Sequence, residues 1–226
     1  MEEDPRLSAV RFGGDGLVPA VAQDALSGEV RMLAYMNREA LARTLSEGVA
    51  WFWSRSRGSL WKKGESSGNV LRVQRVLLDC DGDAVLLLVE PAGPTCHTGA
   101  PSCFSREATG EGWSEGAHAA LPLVALERTL EARRDDPNAR GTSYTRQLLD
   151  AGAARIGAKL REEADELARA TEGEPDARVA SEGADLLFHA MVAAVSRRVP
   201  WRAVLVEIAR RAGVSGIVEK ASRAPK

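Results

Sequence analysis

The spacing of apolar residues changes character partway along this chain. Up to residue 104 they come in short dense runs, at 30–36, 50–54, 70–78 and 84–90, each closed off by Gly, Pro, Asn or Asp on at least one side. Runs of this length and punctuation predict strands. Between the first two lies a short helical pattern, with Asn37 as its N-cap and Gly48 just past its end. Strands joined mostly by short connections, with one helix among them, predict an α+β domain built on a mainly antiparallel sheet. From Ser105 to about Ala119 the periodicity lapses into Gly, Glu and Ser, the composition of a linker. Beyond Leu121 apolar positions recur at helical spacing over 121–134, 142–150, 153–171, 176–198 and 201–212. The expected organisation is therefore multidomain: an α+β domain over 1–106, a linker over 107–119 and an all-α domain over 120–226.

Composition narrows the class without naming a chemistry. With 226 residues, 44% hydrophobic and 27% charged, the chain reads as an ordinary soluble protein long enough for two cores. Its net charge is -2 and neither half is basic, so no nucleic-acid partner is expected. No apolar run approaches membrane-spanning length, and Met1-Glu2-Glu3-Asp4-Pro5 is acidic where a secretory signal is basic, so a cytoplasmic protein with no membrane partner is expected. Three clustered cysteines in a reducing compartment argue for metal or catalytic thiolates over disulfides.

All three cysteines, one of the three histidines and three alternating carboxylates fall between residues 79 and 103. They lie in Asp79-Cys80-Asp81-Gly82-Asp83 and in Gly93-Pro94-Thr95-Cys96-His97-Thr98-Gly99-Ala100-Pro101-Ser102-Cys103-Phe104. Thiolates select a soft ion such as zinc, whereas clustered carboxylate oxygens suit a hard one such as magnesium, so two metals are expected. Three thiolates leave the fourth zinc position open, as a catalytic zinc requires. If 79–83 is extended, its side chains alternate, putting the three Asp on one face and Cys80 on the other. An EF-hand loop is excluded, because its sixth position would be Ala84 and not Gly. Core cysteines and a solvated acidic turn would account for either string taken alone.

In the helical half, a wheel at about 100° per residue places Ile156, Leu160 and Leu167 in one narrow stripe, and Glu163 falls inside it. A carboxylate there is costly to bury unpaired. Glu162 and Glu166 flank it, four residues apart. The next helix is apolar almost all round at Leu186, Leu187, Phe188, Met191 and Val192, and its polar stripe is Glu182, Asp185 and His189. Acidic helices are commonly solvated faces, but facing helices with inward carboxylates also hold divalent metals. Oxygen ligands suit magnesium, which bridges to substrate phosphates, so cleavage of a nucleotide's phosphate chain is the expected chemistry. There is no G-x-x-x-x-G-K-[ST] loop, so it is not of the P-loop kind.

Here the two halves resemble two known families. Trp51-Phe52-Trp53-Ser54-Arg55-Ser56-Arg57, then Leu60-Trp61-Lys62-Lys63-Gly64-Glu65-Ser66-Ser67-Gly68-Asn69, with the two strings above, resemble phosphoribosyl-AMP cyclohydrolase over about residues 10 to 106. Thr142-Ser143-Tyr144-Thr145, Lys159-Leu160-Arg161-Glu162-Glu163-Ala164-Asp165-Glu166 and Glu182-Gly183-Ala184-Asp185-Leu186-Leu187 are similar to phosphoribosyl-ATP pyrophosphohydrolase, an all-α relative of the MazG-like pyrophosphatases. Arg161 departs from that family, which commonly has a small residue there.

The resemblance implies a bifunctional enzyme for the second and third steps of histidine biosynthesis, with chain order the reverse of reaction order. The C-terminal domain would hydrolyse phosphoribosyl-ATP to phosphoribosyl-AMP and pyrophosphate. The N-terminal domain would add water at C6 of the adenine and break the N1–C6 bond. Asp79, Asp81 and Asp83 would bind magnesium, and zinc would be held in a homodimer by Cys80 of one subunit with Cys96 and Cys103 of the other. Glu162, Glu163, Glu166, Glu182 and Asp185 would hold magnesium in the second domain, with Glu163 also a catalytic candidate. His97 is the candidate for proton transfer, with a structural hydrogen bond as its alternative. Trp53, Ser54, Arg55, Arg57, Trp61, Lys62 and Lys63 suit phosphate clamping beside base stacking, with core packing as the alternative for the aromatics. Two rivals are a cyclohydrolase whose helices only dimerise and a zinc-stabilised binding module. Five acids in the helices oppose the first, and the missing fourth thiolate opposes the second.

Overall fold

The computed structural model describes residues 4–115, 121–136, 138 and 143–212, in two compact units that divide between Leu121 and Pro122. The first unit runs α1 (Pro5–Ser8), β1 (Val18–Asp24), β2 (Val30–Met36), α2 (Arg38–Glu47), β3 (Trp51–Ser54), β4 (Ser59–Lys62), β5 (Leu71–Leu78) and β6 (Val85–Pro91), then a separate pair, β7 (Arg106–Thr109) and β8 (Gly112–Glu115). Strand order in the sheet is β4-β3-β2-β1-β6-β5. The sheet is mixed: β1 pairs in parallel with β6, while β1–β2, β2–β3, β3–β4 and β5–β6 are antiparallel. Backbone bonds from Ala50 N to Leu71 O (3.0 Å) and Val73 N to Gly48 O (2.8 Å) tie the start of β5 to the entry of β3, so the sheet curls toward a half-barrel.

The elements that the sequence marked form for the reasons it gave. Asn37 caps α2 through its Oδ1, which accepts the Ala40 amide at 2.8 Å, and Gly48 ends the helix with φ of 67°. Two strands of the sheet carry no such signal. β1 is made of small residues around Pro19, and β4 is four residues long. Pro19 is tolerated in a central strand because pairing with β6 begins only at Ala20, opposite Val85, so its missing N–H removes no bond on that side. β1 alternates strictly, sending Val18, Ala20, Ala22 and Asp24 inward. The first three join Met36, Leu41, Phe52, Leu71 and Leu87 in the core.

Two expectations need correcting in this unit. Residues 79–83 are a bend and not an extended strand, because Asp79 Oδ1 accepts the amides of Asp83 (2.9 Å) and Ala84 (3.1 Å) and Gly82 turns the chain at φ of 82°. Residues 106–115, which carry no apolar period, pair as the β7–β8 hairpin in the register Arg106↔Glu115 to Thr109↔Gly112. Four-residue exposed strands have no buried face to leave a pattern in the sequence. The rest of the expected linker, 116–119, lies outside the described residues.

The second unit is helical: α3 (Pro122–Asp135), α4 (Tyr144–Ala170), α5 (Asp176–Ser196) and α6 (Trp201–Arg211). Thr142, expected to open a helix, lies outside the described residues. Ser143 caps α4 instead, its Oγ accepting the Arg146 amide at 3.4 Å. The two helical patterns expected at 142–150 and 153–171 are both present within α4, which is broken at Gly152, where φ is 79° and ψ is -174°. Leu130, Leu148, Ile156, Met191, Val192, Val195 and Trp201 form its core. Contrary to the expectation that no segment reaches membrane length, α5 is long and apolar enough to cross a bilayer. It packs along α4 and buries Glu182 and His189, so its apolar character serves a protein core.

Candidate active sites

The loop after β6 and the β4–β5 connection face each other across a cleft of about 510 Å³. Arg57, Trp61, Lys62, Lys63, Cys96, His97 and Cys103 line it. The Thr98 hydroxyl donates to Cys96 Sγ at 3.1 Å and holds that thiol below its ordinary range. Cys103 keeps exposed surface, but lost hydration, and then the charge of Cys96, push its thiol up to about 11. Burial lowers Lys63, opposed by the two thiols, and its ammonium donates to Asn69 O at 3.3 Å. His97 Nδ1 lies 3.8 Å from Cys96 Sγ. Gly64 is required beneath this cleft: at φ of 84°, a Cβ there would run into the backbone of Asn69 and Val70.

Trp53, Ser54 and Arg55 line an adjoining depression that shares Arg57 and Trp61 with the cleft. Arg55 stacks over Tyr35 at 4.0 Å, and Arg57 Nε donates to Ser54 Oγ at 3.2 Å. Lys62 pairs with Glu47 at 3.7 Å, and Trp61 packs on Phe52, whose ring lies 5.2 Å away. The seven expected substrate residues thus border two neighbouring hollows.

Asp79, Asp81 and Asp83 converge despite the bend, with carboxylate oxygens within 4.8 Å of one another. The charge of Asp81 raises Asp83. Asp79 loses hydration, but the amides of Ala84 and Asp83 outweigh that and lower it. Arg11 reaches Asp81 at 3.3 Å, a counter-ion the sequence did not reveal. Cys80 is exposed on this bend. Among the described residues, no three ligand atoms within 4.8 Å of one another include a cysteine.

In the helical unit, Glu163 of α4 and Glu182 of α5 are buried, and with Glu166 their carboxylates lie within 4.8 Å. Glu162 and Asp185 are exposed beside this group. Each buried acid carries a cation at i,i±4: Lys159 lies 2.7 Å from Glu163 and Arg178 2.6 Å from Glu182. Lost hydration raises Glu182 even so. Hydrogen bonds to Glu163 and then Glu162 raise Lys159. His189 is also buried, with Nδ1 2.9 Å from Asp185 O and 3.7 Å from Glu163, and Nε2 3.3 Å from the Tyr144 hydroxyl. Spacing alone could have flagged Lys159 and Arg178, whereas Tyr144 is brought in only by the fold. Arg161 is exposed.

The donor sets fit the ions their chemistry suggests: two thiols open to a cleft for zinc, and two carboxylate groups for magnesium. A thiol-lined cleft in one unit and a buried carboxylate cluster in the other give each unit a candidate centre of its own, and the families that the two units match are both hydrolases. The phosphoribosyl-AMP cyclohydrolase family matches residues 32–105, and the phosphoribosyl-ATP pyrophosphohydrolase family matches residues 123–212. A Wolinella succinogenes protein described as histidine biosynthesis bifunctional protein HisIE is 43% identical over 215 residues, covering 92% of this chain and 93% of its own. A Bacillus subtilis protein of the same description is 43% identical over 203 residues, covering 89% and 94%. The chain belongs to this bifunctional HisIE family.

Proposed function

We infer that the chain catalyses two consecutive steps of histidine biosynthesis. Its helical half hydrolyses phosphoribosyl-ATP to phosphoribosyl-AMP and pyrophosphate, and its sheet half opens the adenine ring of phosphoribosyl-AMP to give the phosphoribosylformimino-AICAR ribotide. The observation that carries this reading is that the half matching one family has a cleft lined by thiols, and the half matching the other has a carboxylate cluster built on two buried glutamates.

In the sheet half, residues 1–106, Cys96 and Cys103 are the zinc ligands of one subunit, and Cys80 comes from the other subunit of a homodimer. When bound, zinc supplies activation of water near neutral pH. His97, on the cleft wall, would carry a proton to the ring nitrogen released when N1–C6 breaks. Trp61 offers a stacking face, and Arg57, Lys62 and Lys63 neutralise phosphate charge, assisted by Trp53, Ser54 and Arg55 from the adjoining hollow. Asp79, Asp81 and Asp83 form a magnesium site. Cys80 is exposed on the bend after β5, where a second subunit could reach it, which supports sharing between subunits.

In the helical half, residues 120–226 after the segment 107–119, Glu163, Glu166 and Glu182 form the magnesium centre of a MazG-like domain, with Glu162 and Asp185 at its border. Glu163 is positioned to orient the attacking water, since its carboxylate is buried and one of its oxygens is fixed by Lys159, leaving the other free to accept from that water. The phosphorylated, water-soluble substrates support a cytoplasmic location for this reading. The test is incubation of the purified protein with phosphoribosyl-ATP, zinc and magnesium, identifying every product. Release of pyrophosphate without later loss of the adenine chromophore would leave the sheet half without its activity.

A further inference from the structure

The fourth inward position of β1 is not apolar but Asp24, whose side chain has no exposure. Its Oδ1 accepts the amides of Leu26 (2.9 Å) and Ser27 (3.1 Å), which shapes the turn into β2. Its Oδ2 takes the Arg31 guanidinium at 2.6 Å, and the buried Glu29 takes the same guanidinium at 3.0 Å. Arg31 Nη1 also donates to the Pro101 carbonyl at 3.1 Å, seventy positions away in sequence. The backbone beside it continues the attachment: Cys103 N donates to Arg31 O at 2.8 Å, and the buried Ser102 Oγ donates to Val30 O at 2.7 Å. By contrast, the Cys96 turn is closed on itself, through Cys96 N to Ala100 O and Gly99 N to Cys96 O. The hydrogen bonds that tie the 96–103 loop to the sheet therefore run through residues 101–103 onto Val30 and Arg31.

We propose that Arg31 is a positioning residue for the thiol centre: its planar fork, fixed by Asp24 and Glu29, clamps the Pro101 carbonyl and so sets Cys103 opposite Cys96 before any metal arrives. The proposal rests on the reading of Cys96 and Cys103 as zinc ligands. A guanidinium suits the task because its separate N–H groups serve the Asp24 carboxylate and the Pro101 carbonyl at once while its charge is met by Glu29, whereas an ammonium is a single point of charge. Partners that orient ligands act on metal affinity, typically by 10–100-fold (~10–100).

The test uses the full-length protein, stripped of metal and titrated with zinc against a chromophoric chelator, with the cobalt absorption band as a second readout. Arg31→Met is expected to bind zinc roughly 10–100-fold more weakly and to shift the cobalt band, while pyrophosphate release from phosphoribosyl-ATP is unchanged. Arg31→Lys, which keeps the buried charge, is expected to fall between Met and wild type. It decides the matter if the Met variant does not fold. Wild-type affinity in a folded Arg31→Met, or in Arg31→Lys when that is the only folded variant, overturns the proposal. Cys103→Ala is the control for the underlying reading: if it holds zinc as tightly as wild type, the ligand assignment itself is wrong. Amide exchange on the metal-free wild-type protein gives an independent answer. Protection of Cys103 N–H comparable to the β2 amides is expected, and exchange at free-loop rates until zinc is added would overturn a loop set in advance.

Discussion

Single side chains separate the two chemistries. Cys96→Ala or Cys103→Ala is expected to abolish ring opening and leave pyrophosphate release within about twofold, since both thiols sit in the sheet half. Equal loss of both half-reactions would end the two-centre reading. In the helices, Glu163→Gln keeps size but removes the charge a magnesium–polyphosphate complex needs, and should cost roughly 100-fold or more in pyrophosphate release with phosphoribosyl-AMP turnover near normal. Glu163 was legible because a carboxylate on an apolar stripe stands out, and it is buried. Asp185, counted in the same polar stripe as Glu182 and His189, turns out exposed while those two are buried. Helical spacing gives an angle and not the depth of the neighbouring helix. Arg31 left no signal at all, because its partner Pro101 is reached only through the fold.

At the scale of elements, local chemistry proved readable and pairing did not. The caps of α2 and the break at Gly152 were in the sequence because they are decided by a few adjacent residues. β1 was not, because a strand of small residues around a proline has its place fixed by β2 and β6 on either side. The end of α6 carries a titration that can be measured. Arg210 and then Arg211 hold Glu207 at about 2, against an ordinary value of 4.5. A depressed carboxyl contributes stability above its unfolded value and loses it as pH falls toward the folded one. Glu207→Gln should therefore melt slightly lower than wild type at pH 7, with the gap closing between about pH 4.5 and 2. Added salt should narrow it as well, because these pairs are exposed. A gap that ignores both pH and salt would assign the effect to packing.

On the scale of the whole molecule, the proposal that a zinc centre is shared between subunits predicts rescue between defective chains. Cys80→Ala and Cys96→Ala proteins, each inactive in ring opening, should regain activity when subunits exchange, since one heterodimer site in two is complete, about half of wild type per heterodimer. Demonstrated exchange without recovery would assign each centre to one chain. The two cores are also distinct: one gathers residues from Leu7 to Val89, the other from Leu130 to Trp201. Leu130→Ala, at a side chain with no exposure, should destabilise the helical half by about 2–5 kcal/mol and leave ring opening intact. A matching fall in the stability of the sheet half, read by tryptophan fluorescence in a Trp201→Phe background that leaves tryptophans in that half alone, would argue against separate cores.

Separate cores carry a genetic corollary. A lesion that unfolds one half leaves the other a working catalyst, and phosphoribosyl-AMP is at once the product of one and the substrate of the other. Two mutant alleles, one broken in each half, should then restore growth without histidine when housed in the same cell, although neither does so alone. A locus that reads as one gene by sequence would score as two in such a cross.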